Sequence, residues 1–187
     1  MYHPKKPTQS VIVWKNYMSN ITYKARLFAD AAHKAVGQVR KYTNAPYIVH
    51  PIEVAEIVRT VPHTDAMVCA AFLHDVLEDT KVTEQTLREE FGDEITDLVV
   101  WLTDVSTKQD GKRAERKALD REHLANAPAE AQTVKVADLI SNSKTIVKFD
   151  PDFAEIYIEE KLALLDVLTK ANKELRQRGY EICRKEL

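Results

Sequence analysis

The sequence predicts a single all-α domain, and three observations predict it. Glycine is scarce, at 4 of 187 residues, while 30% of residues are charged and 44% hydrophobic. Good helix formers (Ala, Leu, Glu, Lys) dominate. Apolar residues recur at helical spacing through most of the chain, and no stretch shows convincing strand alternation. The length suits one domain with a full core.

The same composition excludes several functions. A formal net charge of −2 gives no basic field for nucleic acid or an anionic membrane. No apolar run approaches the roughly 18 residues of a membrane span, and the N-terminus lacks the apolar core of a secretory signal. Two cysteines, Cys69 and Cys183, are too few for a disulfide framework, and Cys69 reads as a reduced core residue. A cytoplasmic location is expected. The sequence leaves homo-oligomerisation open.

The elements follow in order. Residues 1–20 read as an N-terminal arm with a short helix over Val11–Met18, and 21–187 as the domain proper. A helix is expected over Thr22–Val36, with Gly37 as its stop. His33 falls inside it, where a structural or exposed histidine is the default. A loop over Gln38–Tyr47 leads to His50-Pro51, where the proline fits the first turn of a helix running to Thr60. Thr64 caps a helix expected to end near Glu78. Thr83–Phe91 is a helix closed by Gly92, and another follows through Leu102. Asp104–Gly111 is polar and is the best candidate for a lid. Lys112–Asn126 is a charged helix whose default is a solvated face. Pro128 opens a helix ending at Asp150-Pro151, and Asp152 caps one long final helix through Arg178.

The chemistry concentrates in Ala70–Thr80, A-A-F-L-H-D-V-L-E-D-T. His74 and Glu78 are four apart, as are Asp75 and Asp79, so on a helix each pair shares a face. Buried charge without a partner is costly, and the natural partner is a cation. His74 and Asp75 read as metal ligands, with Glu78 and Asp79 beside them for the chemistry. Asp138, Asn142 and Thr145 share one polar face of an otherwise apolar helix; a buried polar network is the competing reading. His50, held beside Pro51, either caps its helix or faces a site. His50, His74, Asp75 and Asp138 would form a nitrogen/oxygen set suited to one divalent first-row ion, Mn²⁺ preferred, over Ca²⁺ or thiolate-bound zinc.

The order His…His-Asp…Asp resembles the HD-domain metal-dependent phosphohydrolases. Arg40-Lys41, Pro46-Tyr47-Ile48-Val49-His50-Pro51, His74-Asp75-Val76-Leu77-Glu78-Asp79-Thr80, and Val134-Lys135-Val136-Ala137-Asp138 with Asn142 closely resemble the hydrolase domain of RelA/SpoT homologues, over about 25–168. The resemblance implies a stand-alone small alarmone hydrolase, an HD-domain helical bundle around a central metal site. It would hydrolyse the 3′ pyrophosphate of guanosine 3′,5′-bis(diphosphate) to GDP, or GTP from the related alarmone, and pyrophosphate. It implies His50, His74, Asp75 and Asp138 as ligands and Glu78 and Asp79 as the catalytic pair. It implies Arg40, Lys41, Asn142, Thr145 and Tyr157 as contacts to a small-molecule nucleotide. Lys108, Lys112, Arg113, Arg116 and Lys144 could also meet this anionic substrate. The chain departs from the family at Asn44-Ala45, where relatives commonly carry Gly, and in lacking an arginine shortly before Tyr157. The alternatives are a phosphohydrolase of other nucleotides, including adenosine alarmones, a non-catalytic alarmone-binding module, and a helical bundle with an incidental site.

Overall fold

The computed structural model describes residues 20–185. The arm and the Val11–Met18 helix lie outside the described residues, apart from Asn20, which opens the first helix. The elements are α1 (Asn20–Ala35), α2 (Val49–Val58), α3 (Asp65–Leu73), α4 (Val76–Asp79), α5 (Glu84–Leu102), a 3₁₀ turn at Lys108–Asp110, α6 (Arg113–Asn126), α7 (Ala129–Phe149), α8 (Pro151–Val167) and α9 (Lys173–Lys185). The fold is all-α, as the sequence predicts. Outside the helices, an isolated antiparallel bridge joins Val39 to Pro46. No helix among the described residues is long and apolar enough to cross a membrane.

Two helices form the centre. Every residue from Ala66 to Leu73 of α3 is buried, so this helix is apolar all round, as one enclosed on every side must be. The long α7 packs against α2, α3, α5, α8 and α9. Val134, Val136, Ala137, Leu139 and Ile140 of α7 are buried. Asp138 is thereby carried into the core beside the end of α3.

The structure corrects two helix boundaries. The helix expected to run on to Glu78 stops at Leu73 and resumes as α4 after a turn at His74-Asp75. Asp75 has φ −95°, ψ −2°, in the sparsely populated bridge region where many active-site residues sit. The long final helix is likewise two. Leu168 departs from helical geometry (φ −78°, ψ 53°), and the Asn172 Oδ1 accepts from the Glu174 and Leu175 amides at 3.0 and 3.1 Å. An N-cap of this kind starts a new helix. The expected closure at Gly92 is a kink within α5, with φ 78° and ψ 175°, a conformation open to glycine at little cost.

Gln132 ties the ends of three elements together. Its fully buried amide donates to the carbonyls of Leu124, Ala125 and Ala127 at 3.0–3.3 Å. Its Oε1 accepts from the Lys170 amide at 2.8 Å. These satisfy the orphan carbonyls at the end of α6 and the link from α8 to α9. Gln132→Ala should destabilise the fold by about 2–3 kcal/mol, because it strands buried polar groups. Urea denaturation measures this; a change under about 0.5 kcal/mol would show that water replaces the amide.

Candidate metal centre and flanking cavities

His50 enters from the first turn of α2, His74 and Asp75 from the break between α3 and α4, and Asp138 from the middle of α7. These four positions meet. His74 Nε2 lies 3.0 Å from Asp75 Oδ2 and 3.7 Å from Asp138 Oδ1. His50 Nε2 lies 3.1 Å from Asp138 Oδ1 and 3.8 Å from Asp75 Oδ2. Ligand atoms of His50, His74 and Asp75 all fall within 4.8 Å of one another, a spacing that one ion can bridge. The helix break makes this possible. On an uninterrupted helix, adjacent residues point about 100° apart, whereas the turn lets His74 and Asp75 face one point.

The outer hydrogen bonds set the imidazole tautomers. His74 Nδ1 donates to the Ala71 carbonyl at 2.9 Å, so Nε2 carries the lone pair of the neutral ring. Ser141 Oγ donates to Glu53 at 2.9 Å and therefore accepts from His50 Nδ1 at 3.0 Å, which frees His50 Nε2 in the same way. Second partners of this kind orient metal-ligating histidines. In the neutral ring the buried His74 Nε2 has no hydrogen-bond donor among the described residues. The donor set and this unsatisfied nitrogen fit a divalent cation.

The electrostatics agree. Burial disfavours charge on His74, but the Asp75 and Asp138 carboxylates outweigh it and hold the imidazole protonated well above its ordinary range. Burial likewise opposes ionisation of Asp138, yet Lys135, His50 and His74 hold it well below the usual carboxylate range. His74 and His50 do the same for Asp75. The Tyr47 hydroxyl donates to Asp75 Oδ2, and Asn142 Nδ2 donates to Asp138 Oδ1 at 2.7 Å.

Two cavities flank the cluster. One, of about 210 Å³, is lined by Asp75, Glu78, Asp104, Lys117, Lys135 and Asp138, among others. The other, of about 350 Å³, is lined by Arg40, Lys41, Tyr42, Asn142, Thr145 and Phe153, among others. Tyr47 and Asn142 are walls of both. Glu78 faces the first cavity, and its Oε1 accepts from the Asp104 amide at 2.6 Å. Burial of its carboxyl and the nearby Asp104 push its pKa up to about 7. Asp79 is exposed and lines neither cavity; its Oδ2 accepts from Gln38 Nε2 at 2.8 Å. Gln38 Oε1 in turn lies 2.6 Å from Nδ1 of the buried His33. Arg40 donates to Asn142 Oδ1 at 3.1 Å. Lys41 is exposed and pairs with Asp150 at 3.4 Å.

Tyr157 is not brought to either cavity. It is 5% exposed, its ring sits in the core, and Lys161 caps its face. Lys108, Lys112, Arg113 and Arg116 also line neither; Arg113 turns to Glu160 at 2.7 Å. The side chain of Lys144 lies outside the described set. Residues that line the cavities but were given no role from the sequence include Tyr47, Lys117, Arg121, Lys135 and Lys161. Lys117 belonged to a helix read as solvated, and Lys135 to an apolar run. The expected lid is anchored at its start: Asp104 accepts from Lys117 at 2.6 Å, and Asp120 accepts from the Ser106 amide and hydroxyl at 3.0 and 3.1 Å. Asn44 has φ 53° and so occupies the left-handed conformation that glycine favours.

An all-helical domain with two histidines and two aspartates at its centre defines a class, and comparison with known proteins supplies its family. The HD domain family matches residues 25–146. The chain belongs to the HD-domain family. A Xenopus tropicalis protein named guanosine-3′,5′-bis(diphosphate) 3′-pyrophosphohydrolase MESH1 is 36% identical over 125 residues, covering 65% of this chain and 68% of that protein. A Synechocystis protein named probable guanosine-3′,5′-bis(diphosphate) 3′-pyrophosphohydrolase is 32% identical over 124 residues, but the chain spans only 16% of its length. Among solved structures, a metazoan ortholog of SpoT described as hydrolysing ppGpp superposes with a TM-score of 0.78 at 27% identity, covering 89% of this chain and 96% of that one.

A divalent ion must displace the proton that His74 holds. Affinity for Mn²⁺ should therefore fall as pH falls through the raised His74 pKa, by about tenfold per pH unit where one proton is exchanged. Calorimetric titrations across neutral pH measure the slope. A flat profile would remove His74 from the ligand set.

Proposed function

We propose that this chain is a metal-dependent phosphohydrolase that removes the 3′ pyrophosphate of guanosine 3′,5′-bis(diphosphate) and its 5′-triphosphate relative. The products are GDP or GTP and pyrophosphate. The observation that carries this reading is the placement of the His/Asp cluster between two cavities. One contains the carboxylate of Glu78, and the other combines Arg40 and Lys41 with Tyr42, Tyr47 and Phe153. The names of the Xenopus and Synechocystis relatives support the same substrate. The reading includes one Mn²⁺, held by His50, His74, Asp75 and Asp138, and a cytoplasmic setting. The nitrogen/oxygen donor set supports the choice of ion.

A bound divalent ion supplies Lewis acidity, lowering the pKa of water and neutralising phosphoryl charge. The chain's own groups do the rest. The nucleoside occupies the second cavity, where aromatic rings can cover the base. Arg40, Lys41, Asn142 and Thr145 supply polar contacts, with Arg40 also bonded to Asn142. Tyr157 acts from behind the wall rather than on the nucleotide. Water attacks the 3′ phosphorus, the bond to O3′ breaks, and the nucleoside O3′ takes up a proton. Glu78 is suited to receive the proton of the attacking water, since its pKa near 7 allows exchange in either direction. The Asp104 amide fixes Glu78 Oε1 and leaves Oε2 for water. Asp79, held by Gln38, orients water or a protonated neighbour at the mouth.

Glu78→Gln keeps the size of the side chain and removes its charge. It should leave Mn²⁺ binding within about twofold while cutting turnover by roughly two orders of magnitude. A metal-loaded variant with wild-type turnover would remove Glu78 from the reaction. Incubation of the Mn²⁺-loaded protein with guanosine 3′,5′-bis(diphosphate) should release pyrophosphate. Release of single phosphates from ordinary nucleotides, with the alarmone untouched, would refute the substrate. In the same assay Arg40→Ala should raise KM by about tenfold with metal affinity unchanged; a parallel loss of metal would show that Arg40 supports Asn142 and Asp138 instead.

A further inference from the structure

The first cavity extends past the His/Asp cluster to a set of cations that the chemistry above does not use. Two of them are already matched. Lys117 holds Asp104 at 2.6 Å and Asp120 at 3.1 Å, and Lys135 lies 3.2 Å from Asp138 Oδ2. Glu160, next to Lys161 in sequence, is taken by Arg113 through two bonds of 2.7 Å. Lys161 and Arg121 also line the cavity; both are partly buried, and neither has a carboxylate oxygen within 4.0 Å among the described residues. Lys161 has an aromatic anchor. Its ammonium lies 4.8 Å from the centre of the Tyr157 ring, a contact that aims a cation without neutralising it. Burial and the like charge of Lys135 push its pKa down to about 8, so the surroundings are short of negative charge at this point.

The two cavities assign the parts of a substrate. The reacting phosphorus must lie at the cluster, and the nucleoside takes the cavity with the aromatic walls. What remains of a 3′-pyrophosphoryl group, its distal phosphate, has the first cavity, whose volume of about 210 Å³ is several times the roughly 30 Å³ share of one water. We infer that Lys161 is a substrate contact that binds this distal phosphate and so selects a pyrophosphoryl group over a single phosphate. The inference rests on the proposed function for the identity of the nucleotide, but the subsite itself is a site for inorganic pyrophosphate. Tyr157 is then a positioning residue, holding the Lys161 stem from behind.

The test uses the full chain loaded with Mn²⁺ and two probes, inorganic pyrophosphate and orthophosphate, bound in a calorimeter. Lys161→Met keeps the apolar stem and removes the ammonium. It should weaken pyrophosphate binding by about tenfold or more, the scale of one charge-assisted hydrogen bond. Orthophosphate and Mn²⁺ affinities should stay within about twofold, and Lys161→Arg should recover most of the loss. Equal weakening of both anions would place Lys161 at the reacting phosphate or in the packing, and overturn the inference. Unchanged pyrophosphate binding, or a wild-type chain that binds no pyrophosphate, would overturn it too. Lys161→Gln provides a second neutral variant if the Met variant melts early. The two readings fail separately. A chain that leaves the alarmone intact yet needs Lys161 for pyrophosphate refutes the substrate and keeps the subsite. A chain that cleaves the alarmone with the same KM in Lys161→Met keeps the substrate and refutes the subsite.

Discussion

The structure depends on keeping two carboxylates ionised inside an apolar helical core. Asp138 is 7% exposed, with Val136, Ala137, Leu139 and Ile140 around it in sequence, all of them buried. Burial alone would neutralise it. It stays charged because cations and donors converge on it: Lys135 at one oxygen, and Asn142, His50 and His74 at the other. The proton on His74 is part of that balance. A metal ion can replace it and bring one more positive charge, which the carboxylates are already arranged to receive. The cluster therefore costs stability that only cations restore, and the polar groups around it exist to hold it in register.

That requirement explains why the four clustered side chains sit where helices begin, break and cross. His50 is locked by its place in the first turn beside Pro51, with Ser141 and Glu53 behind it. His74 and Asp75 are adjacent in sequence and could not share a target on a continuous helix; the turn between α3 and α4 turns them together. Asp138 is set by α7, which touches most of the other elements. None of these positions lies in a long loop, so the geometry is fixed by the packing of the core itself. The groups assigned to substrate and to orienting water differ. Lys41 and Asp79 are exposed and Arg40 leans on a single amide, positions free to adjust to a ligand.

The sequence made the fold class and the clustered histidines and carboxylates legible because both depend on local pattern. Helical spacing shows wherever one face is apolar, and histidines and carboxylates inside an apolar run stand out. It hid the breaks. His74-Asp75 continues a helical pattern on both sides, and no glycine or proline marks the turn. Thr169 to Asn172 looked like more helix because its capping partners, Gln132 and Thr133, lie some 38 residues away in sequence. Asn44 shows the reverse: a departure at the level of letters that still occupies the left-handed conformation glycine favours, since asparagine tolerates it better than most side chains.

The lysines show a deeper limit. A charged helix such as α6 reads as solvated, and for most of its residues that is correct. Whether Lys117 or Lys161 faces water or a cavity depends on how α6, α7 and α8 are placed against one another, and no periodicity within a single helix encodes it. The arrangement nevertheless has a physical logic. On the proposed reading, one divalent ion held by two carboxylates would carry little net charge to spare for a polyphosphate. Further cations must be placed beyond the ion, and they must not be consumed by the acids that hold the ion. Lys135 is consumed in this way, by Asp138, and Lys117 by Asp104 and Asp120. Lys161 escapes because the one acid beside it in sequence is turned to Arg113. An ammonium kept free by diverting its neighbour is what the proposed anion subsite requires.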